Sequence, residues 1–208
     1  MSGFASLSPR SLDEIVKRDL ISNEPADAME KIWMQYHAES RSAVGFTLHG
    51  EHQKIIAQRM KESPMCIWPV FKSCDNDEHF VILSQQQDSF ILCTYLEEYK
   101  RNPDTASPWL CVAVFDDFVE DKSMALVRGD FTPNLNKVEG ELTSRLILHG
   151  YFDDEGYEFV KAFNKTPESF DYNKFMDFFK KAHGHLVEDS EARAAAALAE
   201  DISGQVSA

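Results

Sequence analysis

The sequence predicts an α+β domain in which a mostly antiparallel, twisted sheet of about six strands carries helices packed on it. Helical patterns come first, strand patterns fill the middle of the chain, and helical patterns return after it. Three consecutive short strands in the middle are separated by turn residues, which is typical of an antiparallel meander. The seven-residue apolar run from Trp109 to Phe115 is typical of a central strand covered on both faces, so we expect it to be almost wholly buried.

Two short helices open the folded part of the chain. Ser11 and Glu14 have the spacing of a capping box, and apolar residues recur at helical spacing from Leu12 to Leu20. Pro25 suits the first position of a second helix. The predicted apolar stripe of that helix is Met29, Ile32, Trp33 and Tyr36.

The middle of the chain alternates apolar runs with turn signals. Pro69 cannot donate a hydrogen bond to a neighbouring strand, so its strand is placed at an edge or a bulge. Helices are predicted over 51–62 and 96–101. Strands are predicted over 43–48, 65–71, 79–84, 89–94, 109–115 and 124–127.

After Phe131 the apolar spacing becomes helical again. The predictions are an amphipathic helix through Leu135, Val138, Leu142 and Leu146, a shorter helix over 155–164, and a phenylalanine-lined helix that ends at Gly184. The chain thus divides into a disordered segment at 1–10, a single domain at 11–185, and a mobile, acidic, alanine-rich tail at 186–208. Residues 1–10 have the composition of a presequence remnant.

Composition narrows the class of function. The chain has 208 residues and a formal net charge of −14, and 43% of it is hydrophobic, which is enough for a sizeable core. The negative charge argues against binding nucleic acid or anionic membranes, and no apolar stretch is long enough to predict a transmembrane helix. The negative charge fits a protein that binds other proteins, although a need for solubility alone explains the charge equally well.

Four cysteines occur without a CxxC pair, which argues against a zinc or redox site. Cys66, Cys93 and Cys111 lie in strand-like runs and are interpreted as small buried hydrophobic residues of a reduced compartment.

The remaining polar candidates favour structural roles. His49 and His52 fit the solvated start of a helix, and His183 and His185 fit the end of a helix. The aspartate pairs at 116–117 and 153–154 fit turns or helix starts. Neither a Gly-x-Ser-x-Gly elbow nor a glycine-rich phosphate loop is present. We therefore predict no catalytic residue, no metal ligand and no cofactor.

Arg128 and Gly129 close a predicted central strand. An arginine there needs a partner, and a glycine there indicates close approach of another group. Glu97 and Glu98 are the nearest acidic candidates for a structural pair. The alternative is a role in binding a partner protein, since interfaces are enriched in arginine.

A series of segments carries a family resemblance across roughly residues 11–180. In order these are SLDEIVK, EKIWMQYH, SAV, LEEYKRN, PWLCVAVFDDF, LVRGDF and FDY. The series resembles the mitochondrial F(1)-ATPase assembly factor family that chaperones the β subunit. Partner-binding candidates within these segments are Arg128, Gly129, Glu98, Tyr99, Lys100 and Trp109.

The resemblance implies a monomeric, non-enzymatic chaperone of the mitochondrial matrix, with no cofactor. It would bind the free β subunit of ATP synthase, prevent its aggregation and deliver it for assembly with the α subunit. The alternative is a small α+β hydrolase or transferase with an unrecognised active site. A pocket of perturbed titratable groups would favour the enzyme, and an apolar patch would favour the chaperone.

Overall fold

The computed structural model describes residues 7–72 and 78–206, except for the side chains of Ala194 and residues 196–206. A six-stranded sheet lies at its centre, with spatial order β1-β6-β5-β4-β3-β2 and antiparallel pairing throughout. The strands are β1 Ala43–His49, β2 Met65–Phe71, β3 His79–Gln87, β4 Phe90–Tyr95, β5 Pro108–Phe115 and β6 Met124–Phe131. The predicted α+β class is confirmed, as is the edge position of the strand that contains Pro69.

Helices surround this sheet in the described residues. They are α1 Arg18–Ile21, α2 Ala26–Ala38, α3 Gly50–Glu62, α4 Leu96–Arg101, α5 Val119–Lys122, α6 Lys137–Phe152, α7 Asp154–Lys165 and α8 Tyr172–Val206. Short 3-10 turns at Leu12–Glu14 and Pro167–Ser169 complete the set.

The two faces of the sheet are covered differently. Helices α3, α6, α7 and α8 pack on the first face, where Trp68, Phe175 and Phe179 are fully buried. On the second face, α2 and the N-terminal turns cover β1 and β6, and the indole N–H of Trp33 donates to the Val127 carbonyl at 3.0 Å. The six-residue α4 packs beside β3 and β4.

The strand run singled out by the sequence is central, but it is not uniformly buried. Residues 110–113 are buried, whereas Trp109, Val114 and Phe115 are half-buried. The prediction of almost complete burial is therefore right for the middle of β5 and wrong for its ends, since covering helices protect the centre of a sheet better than its margins.

The N-terminal helices differ in detail from the prediction. The Ser11 amide donates to the Glu14 carboxylate at 2.7 Å, but the predicted first helix is divided into a 3-10 turn and α1. Ile32 and Tyr36 are exposed rather than buried. The stripe of α2 that faces the sheet consists of Met29, Trp33 and His37, each four residues apart.

The last helix does not end at Gly184, because α8 continues to Val206. Among the described glycines none has a positive φ, so Gly184 does not form a left-handed cap. Leu186 still packs against the core.

Val138 was predicted to lie on the apolar face of its helix, but it is 65% exposed on α6. Residues 1–6 and most side chains of the predicted tail lie outside the described residues, so the domain boundaries stay predictions.

The cysteine prediction is confirmed for Cys66, Cys93 and Cys111, which are buried and free. Burial raises the pKa of each thiol, to about 12 for Cys111. Cys74 lies outside the described residues.

Within the described parts of the chain, no group of three or more potential metal-ligating side chains occurs, and no helix meets the length and hydropathy needed to cross a membrane.

Several polar candidates take the structural roles predicted for them. His49 accepts a hydrogen bond from the Glu51 amide at 3.3 Å and caps α3, and Asp153 caps α7 through the Gly156 amide at 2.8 Å. Asp117 pairs with Arg18 at 2.9 Å. His183 is different: it is buried within α8 against the Phe71 ring rather than lying at a helix end.

Candidate functional site

Arg128 and Asp130 form a buried ion pair in the middle of the sheet. The Arg128 Nε and one terminal nitrogen donate to the two Asp130 carboxylate oxygens, both at 2.7 Å. The two side chains are adjacent because residues two apart on a strand point to the same face. The predicted pairing with Glu97 or Glu98 was therefore wrong.

His37 completes this buried group. The second terminal nitrogen of Arg128 donates to His37 Nε2 at 2.8 Å, so Nδ1 carries the proton that His37 donates to the Trp33 carbonyl, also at 2.8 Å. Burial is the main cause that lowers the His37 pKa to about 4, and the Arg128 charge adds to it. The sequence signal for His37 was its position four residues after Trp33 on the α2 stripe.

We expect His37 to make the fold sensitive to acid. Its pKa of about 4 when folded lies below 6.5, so the unfolded chain takes up the proton first as pH falls. The stabilising difference is complete above pH 6.5 and decreases by about 3 kcal/mol between pH 6.5 and 4. Urea unfolding at several pH values measures this loss. A His37→Gln variant should show a shallower dependence on pH in that range, and equal dependence in both proteins would contradict the assignment.

Gly129 lies beside Arg128 and faces the opposite side of the sheet. A Cβ atom at this position would come within 2.7 Å of the Ser144 hydroxyl oxygen on α6. The predicted close approach is confirmed. Arg128 is 4% exposed and Gly129 is also buried, so neither lies on the surface of the described chain.

The other four partner-binding candidates lie together on the surface around α4. Glu98, Tyr99 and Lys100 belong to this helix, and Trp109 is near the start of β5. Tyr99 and Lys100 line a surface hollow on one side of α4, while Glu98 and Trp109 line a second hollow beside it. The structure therefore separates this group from Arg128 and Gly129.

The larger hollow, called here the α4 groove, has a volume of about 700 Å³. Its lining comes from β2, β3, the end of β4 and α4, together with one residue near the end of α7 and one at the start of α8. The apolar lining residues are Met65, Ile67, Phe80, Val81, Leu83, Tyr95, Leu96, Tyr99, Phe163 and Tyr172. Tyr172 is 41% exposed, so part of this apolar surface is open to solvent.

Three half-buried aromatic rings connect the α4 groove to the second hollow. Tyr95 stacks on Trp109 with ring centroids 4.8 Å apart, and Phe80 contacts both rings edge-on at 6.0 and 5.6 Å. Phe80 and Tyr95 line the α4 groove, and Trp109 lines the second hollow, which measures about 470 Å³. Sequence reasoning missed Phe80 and Tyr95, because their meeting with Trp109 depends on cross-strand register.

Two titratable groups with shifted pKa values, Tyr151 and His183, lie in the core. Burial raises the pKa of Tyr151 well above its usual value, and the Tyr151 hydroxyl donates to the Ser63 carbonyl at 2.8 Å. Burial also lowers the pKa of His183, whose ring packs on Phe71 at 4.7 Å. These contacts stabilise the interior, whereas the α4 groove offers apolar surface for binding.

Comparison with family models identifies the chain. A model described as "ATP11 protein" matches residues 5–176, which extend from the N-terminal segment into the start of α8. The chain belongs to this family, the mitochondrial F1-ATPase assembly factors. No curated protein matches the chain significantly. Membership in the assembly factor family implies a role in F1-ATPase assembly, within a family of chaperones rather than catalysts.

Proposed function

We propose that this assembly factor binds the free β subunit of the mitochondrial F1-ATPase, as a monomer in the matrix, and keeps it soluble until the α subunit receives it. The observation that carries the proposal is the open apolar α4 groove on a member of an F1-ATPase assembly factor family. A chaperone of this kind needs an apolar patch with a polar rim and needs no reactive group.

The chemistry of the α4 surface suits protein binding. Trp109, Tyr95 and Tyr99 offer large rings with a polar end, and such residues contribute much of the binding energy at interfaces. Glu97 and Lys100 form an exposed ion pair at 2.8 Å on the rim. The apolar centre would supply affinity, and the charged rim would keep the free chaperone in solution.

Release of the β subunit follows from competition. A surface with few deep pockets should bind its partner more weakly than the extensive interface of an assembled complex does, so the α subunit can displace it. The net charge of −14 helps to keep the chaperone–subunit complex soluble during this step.

Light scattering tests the proposal directly. Isolated β subunit is diluted from denaturant with and without an equimolar amount of the assembly factor, in the absence of ATP. We expect scattering to be suppressed at near-stoichiometric ratio, because one groove covers one apolar site. Addition of purified α subunit should then release the assembly factor.

The control is a Tyr172→Asp variant beside a Tyr36→Asp variant, because both tyrosines are exposed but Tyr36 lies on α2, away from the α4 groove. Only Tyr172→Asp is expected to weaken suppression. Equal aggregation with and without the unmodified protein would refute the proposed function.

A further inference from the structure

We propose that the outer edge of β1 binds an extended segment of the free β subunit, which pairs with β1 as a seventh strand of the sheet. This inference rests on the proposed function and adds a second contact, since β1 lies at the opposite end of the sheet from β2 and the α4 groove. Three features carry it: outward backbone groups on β1, the closed state of the other sheet edge, and a small apolar hollow beside β1.

The backbone of β1 directs every second residue away from β6. The Phe131 amide donates to the Ser42 carbonyl at 2.9 Å, and the Gly50 amide donates to the Ser123 carbonyl at 2.6 Å. Both bonds continue the register of the β1–β6 pair, in which only alternate residues exchange hydrogen bonds with the neighbouring strand. The even-numbered residues of β1 are therefore bonded to β6. The outward N–H and C=O groups belong to the odd-numbered residues, which are Ala43, Gly45, Thr47 and His49.

This edge is open over its second half. No hydrogen bond from a described residue reaches the outward backbone groups of Gly45 or Thr47. Both residues are half-buried, and because glycine has no side chain, the exposed part of Gly45 is backbone. His49 is exposed, whereas Ala43 at the other end of β1 is fully buried. The open edge thus extends from Gly45 to His49.

The helices beside β1 lie on the two faces of the sheet and reach inward to β6. On the second face, His37 of α2 accepts from Arg128 of β6 at 2.8 Å. On the first face, Ser144 of α6 lies against Gly129 of β6. Both helices thus contact the strand inside β1, in agreement with the exposed backbone of Gly45 at the outer margin.

The opposite edge of the sheet is closed. The hydrogen bonds of the β2–β3 pair leave Met65, Ile67, Pro69 and Phe71 directed outward. The Asn164 side chain accepts from the Met65 amide at 3.2 Å and donates to the Met65 carbonyl at 2.5 Å, and Pro69 has no N–H to donate. Proteins protect sheet edges in such ways because an unprotected edge pairs with another chain. The sequence of β1 contains neither proline nor a lysine, arginine or acidic residue.

An apolar hollow beside β1, called here the β1 hollow, suits one side chain of the added strand. It measures about 160 Å³, and its lining combines Phe46 and Leu48 of β1 with residues of α3 and α6 and with Leu186 of α8. Leu48, Phe152 and Leu186 are half-buried, so part of the lining is open to solvent. A cavity of about 150 Å³ holds one benzene-sized group, which is the size of a single apolar side chain.

The chemistry of this edge selects an extended occupant from another protein. A helix bonds its own backbone groups internally, so it offers none to the N–H and C=O groups of Gly45 and Thr47. Two copies of this chain would each bring a net charge of −14 to the contact and repel one another. Strand addition takes its affinity from backbone hydrogen bonds and its specificity from pockets for alternate side chains, so the bound segment needs an apolar residue for the β1 hollow and no charge.

Hydrogen exchange resolved at single amides tests this inference on the unmodified protein. In the free protein, the Phe46 and Leu48 amides should exchange slowly and the Gly45 and Thr47 amides rapidly. With saturating isolated β subunit, we expect exchange at Gly45 and Thr47 to slow by about tenfold or more. Unchanged exchange at both amides in the complex would overturn the inference. Slowing that appears when the free chain is concentrated without β subunit would assign the edge to self-association and would also overturn it.

Two variants at position 47 distinguish strand pairing from simple contact. Thr47→Pro removes the outward N–H without removing a hydrogen bond to β6. Thr47→Val is the matched control, because both variants lose the hydroxyl that donates to Glu30 at 2.6 Å. We expect Thr47→Pro to bind the β subunit about tenfold or more weakly than Thr47→Val does. Equal affinity of the two variants, with circular dichroism showing both to be folded, would contradict strand pairing.

Other outcomes separate this inference from the proposed function. If aggregation of the β subunit is suppressed but the Gly45 and Thr47 amides still exchange rapidly in the complex, the β1 edge is not a contact and the chaperone proposal stands. If Thr47→Pro does not fold, the exchange measurement on the unmodified chain decides. Absence of any binding to isolated β subunit would refute both proposals.

Discussion

Replacement of Arg128 by alanine is expected to lower the free energy of unfolding by about 3–5 kcal/mol. The guanidinium contacts both Asp130 oxygens and His37, and Arg128 is 4% exposed. Its removal leaves a buried carboxylate without its main partner, although Arg10 still reaches Asp130 at 3.3 Å. Urea unfolding followed by circular dichroism measures the change.

Two further variants sharpen this test. Arg128→Lys keeps the charge but not the planar fork, so we expect an intermediate loss of stability. Arg41→Ala removes an arginine from an exposed position and should change the free energy of unfolding by less than about 0.5 kcal/mol. A stable Arg128→Ala variant that has lost only subunit binding would instead support the partner-binding role predicted for Arg128.

Aspartate at Val112 is expected to prevent folding altogether. Val112 is fully buried in β5, between Ile91 of β4 and Gly129 of β6. Desolvation of an unpaired carboxylate and loss of the valine packing together cost several kcal/mol, against a typical total stability of about 5–15 kcal/mol. The variant should show no cooperative thermal transition in circular dichroism.

The matched control is Val138→Asp. Val138 is 65% exposed in the first turn of α6, where a negative charge interacts favourably with the helix dipole. We expect this variant to melt like the unmodified protein. A normal melting curve for Val112→Asp would show that β5 does not hold the centre of the core.

Local patterns were sufficient to predict the sheet and most helices. The turn residues between the middle strands, the proline in β2 and the apolar runs predicted the meander and the position of its edge. The limits of helices were harder: Gly184 favoured a helix end, but α8 continues through it because successive apolar contacts extend to Leu186. The tendency of a glycine to end a helix is weak when tertiary packing holds the next helical turn in place.

The features that the sequence did not predict depend on contacts between residues far apart in the chain. Asp130 becomes the partner of Arg128 through strand geometry, and His37 joins them from α2, 91 residues away along the chain. Within the α4 groove, Tyr99 was predicted from a family-like segment. Phe163 of α7 and Tyr172 of α8 line the same groove although they lie far along the chain from β2 and α4, so no local pattern indicates that they meet there.

The most direct test of the central claim is a pull-down from mitochondrial extract with the tagged full-length protein, in which the bound F1 subunits are quantified by mass spectrometry. The chaperone account predicts recovery of β subunit with α subunit at background level, and loss of the β subunit with Tyr172→Asp but not with Tyr36→Asp. Recovery of α and β in equal amounts, or of neither, would contradict it.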